Sequence, residues 1–448
     1  MNSPISNIPP VRPNVEWKLE RKPPAAAVAL QLDVSQEQVA QHRNGALLVL
    51  AGPGTGKTAT LTETVVRIIN EGEVEANEIL VLTFARKAAE EIRDRIVARV
   101  GSGKLPGVCT LHALALAIVR EFPDKVDRDE FAEMRLMSAP EQELAVRQLI
   151  NGSLEDSRLG KTVWPEHLKD AVATRGMSIE IRNAMARARS LGLEPSELSR
   201  IAVGSPEWTS LAAFMNEYLD NLESSSAIDY NELIIKAFLK TKESDIQTIF
   251  RNRYKVIIVD EYQDTDPLQV KILQNLVSEK ACLIAVGDPD QSIYGFRGAD
   301  SKAVFNFFKD FAHVNHFGPP KQVNLKLTRR FGSNLAAHAQ RLISENSSEE
   351  IPGFDSKSHR VLETNKSDAG EVFVSEYESR EEEAEMVAEK IRALVDGSDL
   401  DWKDIAILVR SGSVSIPVLE RALTRAAIPV DVSFDELPIA QELSLIHI

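Results

Sequence analysis

Apolar residues along this chain fall into two rhythms. Short unbroken runs, Leu47–Leu50, Val256–Val259 and Leu283–Val286, predict buried strands. Longer stretches carry apolar residues three and four apart: EQELAVRQLI (141–150), IEIRNAMARARSLGL (179–193) and EWTSLAAFMNEYLDNL (207–222). That spacing predicts helices, so the stretch from about Arg120 to Glu223 reads as mostly helical. IDYNELIIKAFL (228–239) then leads back toward the strands, and DIAILVRSGSVSIPVLERALTRAAIPVDV (404–432) reads as strand, helix and the start of another strand. The pattern implies an α/β protein in which a helical domain is inserted into a sheet-based one.

The chemistry begins where the first run ends. AGPGTGKT, Ala51 to Thr58, sits between a buried strand and a helix start. Backbone N–H groups of Ala51, Gly52, Pro53 (which lends only its turn), Gly54, Thr55 and Gly56 would form a phosphate cradle. Lys57 would add a mobile positive charge for the outer phosphates, and the Thr58 hydroxyl would join a Mg²⁺ shell. Ala51 replaces the first glycine of the general pattern. The second run delivers Asp260 and Glu261 at its carboxyl end. There Asp260 would hold Mg²⁺ and Glu261 would orient and deprotonate water. An apolar run ending in Asp-Glu is by itself a common strand exit; the phosphate loop gives it meaning. Roughly 200 residues separate Lys57 from Asp260, more than a strand and helix crossover needs.

Composition narrows the setting. At 448 residues the chain exceeds one hydrophobic core. Cys109 and Cys282 form neither a disulfide framework nor a metal cluster, which points to a reducing, cytoplasmic compartment. No apolar run is long enough to span a membrane, so no membrane partner is expected. Six prolines before Ala25 mark residues 1–30 as a flexible arm. The net charge of −15 argues against a nucleic-acid partner only at first sight, because a track needs just a local basic groove. Much of the acid is gathered in ESREEEAEMVAEKI (378–391), a solvated helix face. Basic residues cluster in ARKAAEEIRDRIVARV (85–100) and ATRGMSIEIRNAMARARS (173–190), either as a nucleic-acid surface or as ordinary solvated faces.

The order of motifs is more specific than any one of them. LDVSQEQVA (32–40), the phosphate loop, TFARKAAEEIRDRI (83–96), TLHALAL (110–116), DEYQDT (260–265), GDPDQSIYGFRGAD (287–300) and LKLTRRFGSNL (325–335) follow one another. In this the chain resembles the UvrD/Rep/PcrA group of superfamily 1 DNA helicases over nearly its whole length after residue 30. The resemblance implies a P-loop NTPase fold: a RecA-like parallel-sheet domain (31–119 and 224–300), the inserted helical domain (120–223), and an incomplete second RecA-like domain (301–448). It implies an ATP- and Mg²⁺-dependent enzyme that moves on single-stranded DNA, or DNA with a single-stranded tail, and unwinds it 3′ to 5′ in repair or recombination.

The same resemblance assigns residues. Gln36 matches the adenine-reading glutamine, and Gln291 the glutamine that senses the terminal phosphate and positions water. Arg330 matches the arginine that reaches the phosphates from the second domain. Thr83, Phe84, Thr110, His112, Tyr294 and Phe296 match DNA-contacting positions, with the aromatic rings as stacking steps; Arg297 matches a coupling residue. Two departures are visible. Arg329 stands where a tyrosine usually stacks on adenine, and Phe296 where tryptophan is common. Family members continue through further motifs that complete both sites, so residues 1–448 are expected to bind Mg·ATP and unwind poorly alone. A protein partner completing the second domain, an ATP- and DNA-binding subunit, and a truncated remnant without autonomous helicase activity are the alternatives.

Overall fold

The computed structural model describes residues 31–432 apart from 102, 104, 124–134, 156–161, 296–301, 346–357 and 399. The N-terminal arm, Phe296 and Arg297 therefore lie outside the described residues.

Six strands form one parallel sheet: β1 (Gly45–Ala51), β2 (Ile79–Thr83), β3 (Gly107–Thr110), β6 (Val256–Val259), β7 (Cys282–Gly287) and β8 (Lys321–Leu325), in the order β3-β2-β6-β7-β1-β8. β4 (Arg135–Leu136) and β5 (Ala227–Ile228) make a separate two-residue parallel pair at the two ends of the insertion. Register is continuous through the centre, with Val49 opposite Val286, Ile258 opposite Ile284 and Val81 opposite Ile258.

Both faces of the sheet are covered, which is why its central strands are unbroken apolar runs. Leu48, Leu50, Leu82, Ile257 and Val259 point into one core with helices Leu111–Glu121, Tyr230–Thr241, Pro267–Leu276 and Lys302–Asp310. Leu47, Val49, Val81 and Ile258 point into the opposite core with helices Lys57–Glu71 and Arg86–Val100. From β1 the chain crosses to β2 on one side, and from β7 to β8 on the other. The strand order thus reverses beside β1, where ligands of such sheets gather at the carboxyl ends.

The insertion has its own core. Helices Ala139–Glu155, Arg175–Ser190 and Pro206–Ser224 enclose Trp164, Met185, Phe214 and Tyr218. Arg189 is buried there and pairs with Glu232 of helix Tyr230–Thr241, tying the insertion to the sheet domain. Some of the basic-cluster residues also pair within the chain: Arg99 with Glu63 at 2.6 Å, and, at the surface, Arg95 with Glu91 and Arg175 with Glu143 at 3.1 Å.

After β8 the structure thins. β9 (Leu327–Thr328) pairs with β10 (Glu363–Thr364), and a small core of Ala388, Ile391, Leu423 and Ile428 joins helices Arg380–Gly397 and Gly412–Arg425. Two expectations need correction. The division at residue 300 falls short of the first sheet's edge, because helix Lys302–Asp310 covers its core and β8 pairs with β1 from Leu47↔Lys321 to Ala51↔Leu325. The strand expected in 404–410 is absent among the described residues: that segment has no neighbour to pair with, and Leu408 is 94% exposed. No helix among the described residues is long and apolar enough to cross a membrane.

Candidate nucleotide and nucleic-acid site

The phosphate loop is shaped by glycines that nothing else could replace. Gly54 and Gly56 have φ of 77° and 85°, in the left-handed region. A Cβ on Gly54 would lie 2.5 Å from Thr328 Oγ1, and one on Gly56 2.7 Å from Gln36 Nε2. The loop closes on itself through Thr55 Oγ1, which donates to the Gly52 carbonyl at 2.8 Å. Helix Lys57–Glu71 starts directly after it, so its unpaired N–H groups point into the cradle.

At the end of β6, Glu261 adopts φ 51° and ψ 45°. This conformation costs a non-glycine residue about 1 kcal/mol. It turns the Glu261 carboxylate toward the loop, where Oε2 accepts from Lys57 Nζ at 3.2 Å and from Gln263 Nε2 at 2.8 Å. Asp260 beside it is buried, with Oδ1 accepting from the Glu261 N–H at 3.0 Å. Burial first, and then the Glu261 charge, push the Asp260 carboxyl up to about 7 despite Lys57. A divalent cation would relieve that pressure, so the donor set, a hydroxyl at Thr58 and a buried carboxylate short of positive charge, suits Mg²⁺.

Gln291 lies one step away from these groups. Its Nε2 donates to Asp288 Oδ2 at 2.6 Å, and the Asp288 N–H donates to Gln263 Oε1 at 3.0 Å. Gln263, quoted in the motif but given no role there, is thus the bridge between the carboxylates and the loop bearing Gln291. A Cβ on Gly287 would lie 2.8 Å from Gln263 Oε1, so only glycine leaves room for that bridge.

On the other side of the cradle, Gln36 donates from Nε2 to the Thr55 carbonyl at 2.9 Å. Its Oε1 accepts from the Asp33 N–H and from Arg329 Nη2, each at 3.1 Å. Arg329 Nη2 also meets Asp33 Oδ2 at 2.9 Å, and the Arg329 N–H donates to the Gly54 carbonyl at 2.9 Å. Thr328 Oγ1 donates to the Pro53 carbonyl at 3.0 Å. Arg330 follows with an exposed side chain whose Cβ would lie 2.6 Å from one built on Gly54. The segment 328–330 is therefore laid directly along the phosphate loop.

One cavity joins Asp260 and Glu261 to residues expected to contact DNA: it is lined by Thr83, Phe84, Leu111, His112, Asp260, Glu261, Thr265 and Gln269. Phe84 and Tyr294 stack with ring centroids 4.4 Å apart and planes 26° from parallel, one aromatic step rather than two. His112 meets Tyr230 edge-on at 5.2 Å, a ring that sequence reasoning passed over. Burial, then Arg86, lower the His112 imidazole to about 4, so it is neutral near pH 7. Thr110 Oγ1 caps helix Leu111–Glu121 by accepting from the Ala113 N–H at 3.2 Å, which leaves its hydroxyl proton to donate. Thr83 Oγ1 is buried without a hydrogen-bond partner in the described structure.

Comparison with known proteins bears directly on this arrangement. The family profile of the UvrD/REP helicase N-terminal domain matches residues 32–312, and that of the UvrD-like helicase C-terminal domain matches residues 323–436. The chain belongs to the UvrD/REP helicase family. Among relatives, it is 29% identical over 401 residues to a probable DNA helicase II homolog of Rickettsia conorii, covering 89% of this chain and 56% of that protein. It is 29% identical over 434 residues to the ATP-dependent DNA helicase UvrD1 of Mycobacterium tuberculosis, covering 92% and 51%. With the ATP-dependent DNA helicase PcrA of Leuconostoc citreum it shares 27% over 397 residues, covering 88% and 48%. The chain spans about half the length of the curated relatives it matches.

As a UvrD/REP family protein it has the RecA-like parallel sheet, the helical insertion and a shorter second β/α region. Gln263, Asp288 and Tyr230 are the residues of this site that sequence reasoning missed. For the first two the available signal was their position inside DEYQD and GDPDQS. Tyr230 carried none, since only folding brings it to His112.

Proposed function

We propose that this chain binds and hydrolyses Mg·ATP in its first RecA-like domain, and that single-stranded DNA lies across Phe84 and Tyr294. The support is the cavity that joins Phe84 and His112 to Asp260 and Glu261. A strand seated at its mouth would bear on the same wall that holds the hydrolytic carboxylates. In this reading Glu261 orients and deprotonates the attacking water, while Lys57 turns from Glu261 to the outer phosphates. Thr58 and Asp260 would hold Mg²⁺, which supplies charge neutralisation on the phosphates when bound. Gln36 would read the base, Gln291 would face the terminal phosphate, and Arg330 would close on it with the second region. Thr83, Thr110 and His112 would contact the DNA backbone, so selectivity would be for strandedness rather than sequence.

Complete, such a motor would translocate 3′ to 5′ and unwind DNA in a cytoplasmic repair or recombination setting. Residues 1–448 by themselves form the ATP- and DNA-binding part without autonomous unwinding. The coverage of about half of each relative supports this reading, as do the unpaired apolar segments after β10. The test is Mg·ATP hydrolysis by residues 1–448 with and without single-stranded DNA, beside unwinding of a tailed duplex. DNA-stimulated hydrolysis without unwinding is expected. Robust unwinding by this chain alone would overturn the second part, and DNA-independent hydrolysis the first.

A further inference from the structure

His359 and Arg360, just before β10, reach back to the loop that carries Gln291. His359 is 1% exposed, and its Nε2 lies 3.1 Å from Asp290 Oδ2 and 3.5 Å from Asp288 Oδ1. Arg360 grips Asp290 with two bonds, Nε to Oδ2 at 2.7 Å and Nη2 to Oδ1 at 2.6 Å. Asp288 is in turn held by the Asp290 N–H at 3.0 Å and by Gln291 Nε2 at 2.6 Å. Asp288, Asp290 and His359 are near enough to share a cation. The Arg360 guanidinium, the Gln291 amide and backbone N–H groups already occupy their acceptor oxygens, so the cluster is built as a clasp and not as a metal site.

Charge supports the same view. Asp288, which is buried, and Asp290, which is partly buried, face one guanidinium, and among the described residues His359 is the other cationic side chain in contact with them. Burial alone would lower the His359 imidazole, but its hydrogen bonds to Asp288 and Asp290 outweigh this and raise it. Asp290 behaves in the complementary way: burial would raise it, and the bonds from His359 and Arg360 lower it. The contacts then run without a break: Arg360 and His359 to Asp290 and Asp288, Asp288 to Gln291 and Gln263, Gln263 to Glu261, Glu261 to Lys57.

We propose that His359 and Arg360 are positioning residues for hydrolysis: from the second region they fix the Asp288–Gln291 loop, and through Gln263 the orientation of Glu261. The proposal rests on the reading of Glu261 and Gln291 given above. Movement of the second region would thereby be felt at the carboxylates through His359, Arg360, Asp288 and Gln263, none of which is assigned a nucleotide contact in the reading above.

The test uses residues 1–448 carrying His359→Ala, His359→Gln, Arg360→Gln or Arg360→Lys. His359→Ala and Arg360→Gln should lower the DNA-stimulated kcat by tenfold or more with KM for ATP changed less than threefold. His359→Gln and Arg360→Lys, which keep a donor, should recover part of the loss. In a Gln291→Ala background, His359→Ala should add nothing, since both act through one loop. Additive losses, or an unchanged kcat, would overturn the proposal. Amide exchange gives a second readout that needs no turnover. The Asp288–Gln291 amides should exchange at least tenfold faster in His359→Ala and Arg360→Gln, while the helix Lys57–Glu71 stays protected. Unchanged exchange would also overturn it. A wild-type chain that does not hydrolyse ATP would sink the functional reading, and the exchange experiment would still decide whether the clasp holds the loop.

Discussion

The sheet domain and the region after β9 contain similar apolar runs with opposite fates. VIIV at 256–259 is a fully buried strand between β2 and β7. IAILV at 405–409 forms no strand in the described structure, and its Leu408 faces solvent. The residues are interchangeable in type, so the difference lies in their neighbours. A parallel strand takes all its backbone bonds from other strands, and an apolar run without them has only its side chains to bury. Six strands supply one another in the first region, whereas β9 and β10 contribute two residues each in the second. Beside its own small core, the second region is tied to the first by Thr328 and Arg329 on the phosphate loop and by His359 and Arg360 on Asp288 and Asp290.

That contrast can be broken or sharpened by measurement. If all the chemistry is anchored in the first region, Lys57→Ala should reduce ATP hydrolysis by 100-fold or more, because a positive charge preorganised for phosphate is lost. Steady-state turnover checks this, and retained activity would move the chemistry elsewhere. Leu50→Ala, fully buried on β1 between β7 and β8, should lower the unfolding free energy by roughly 3 kcal/mol, read from urea denaturation. Phe84→Ala should weaken single-stranded DNA by about 1–3 kcal/mol, seen as a shift in a titration at fixed salt. An unchanged affinity would remove the stacked pair from the DNA path.

A fourth prediction concerns pH. His112 titrates near 6.5 when unfolded and near 4 when folded, so the unfolded chain binds the extra proton first. Its contribution is therefore complete above pH 6.5 and lost as pH falls toward about 4, a cost on the order of 3 kcal/mol. Denaturation midpoints across that window should show it, and His112→Gln should flatten the dependence. The smallest effect belongs to the second region: Leu408→Ala should change stability by less than about 0.5 kcal/mol. A loss comparable with that of Leu50→Ala would mean that Leu408 is packed against something in solution.

The N-terminal half of the site was legible in the sequence because its determinants are local. A glycine-rich turn between a buried run and a helix has few physical alternatives, and Lys57 follows from it by position alone. Asp260 and Glu261 were legible for a related reason, since an apolar run ending in carboxylates marks a strand exit. Gln263 stood in plain view two residues on, yet its use depends on Asp288, brought alongside only when β6 and β7 align from Val256↔Cys282 to Val259↔Ala285. Arg329 was noticed as a departure, but its partners Asp33 and Gln36 lie 296 and 293 residues earlier in the chain.

The sequence by itself determined three of the buried strands, Leu47–Leu50, Val256–Val259 and Leu283–Val286, the glycine-rich turn after the first and the acids at the exit of the second. These depend on residue type, short-range spacing and the conformational freedom of glycine, all of which act within a few residues. Tertiary structure decided the rest: that β8 completes the first sheet, that Phe84 and Tyr294 stack on each other, that 405–409 stays unpaired, and that His359 and Arg360 close on the Gln291 loop. Each of these needs two surfaces remote in sequence to meet in one register, and hydrogen bonds of about 3 Å between such surfaces are specified by the packing of the sheet rather than by either segment alone.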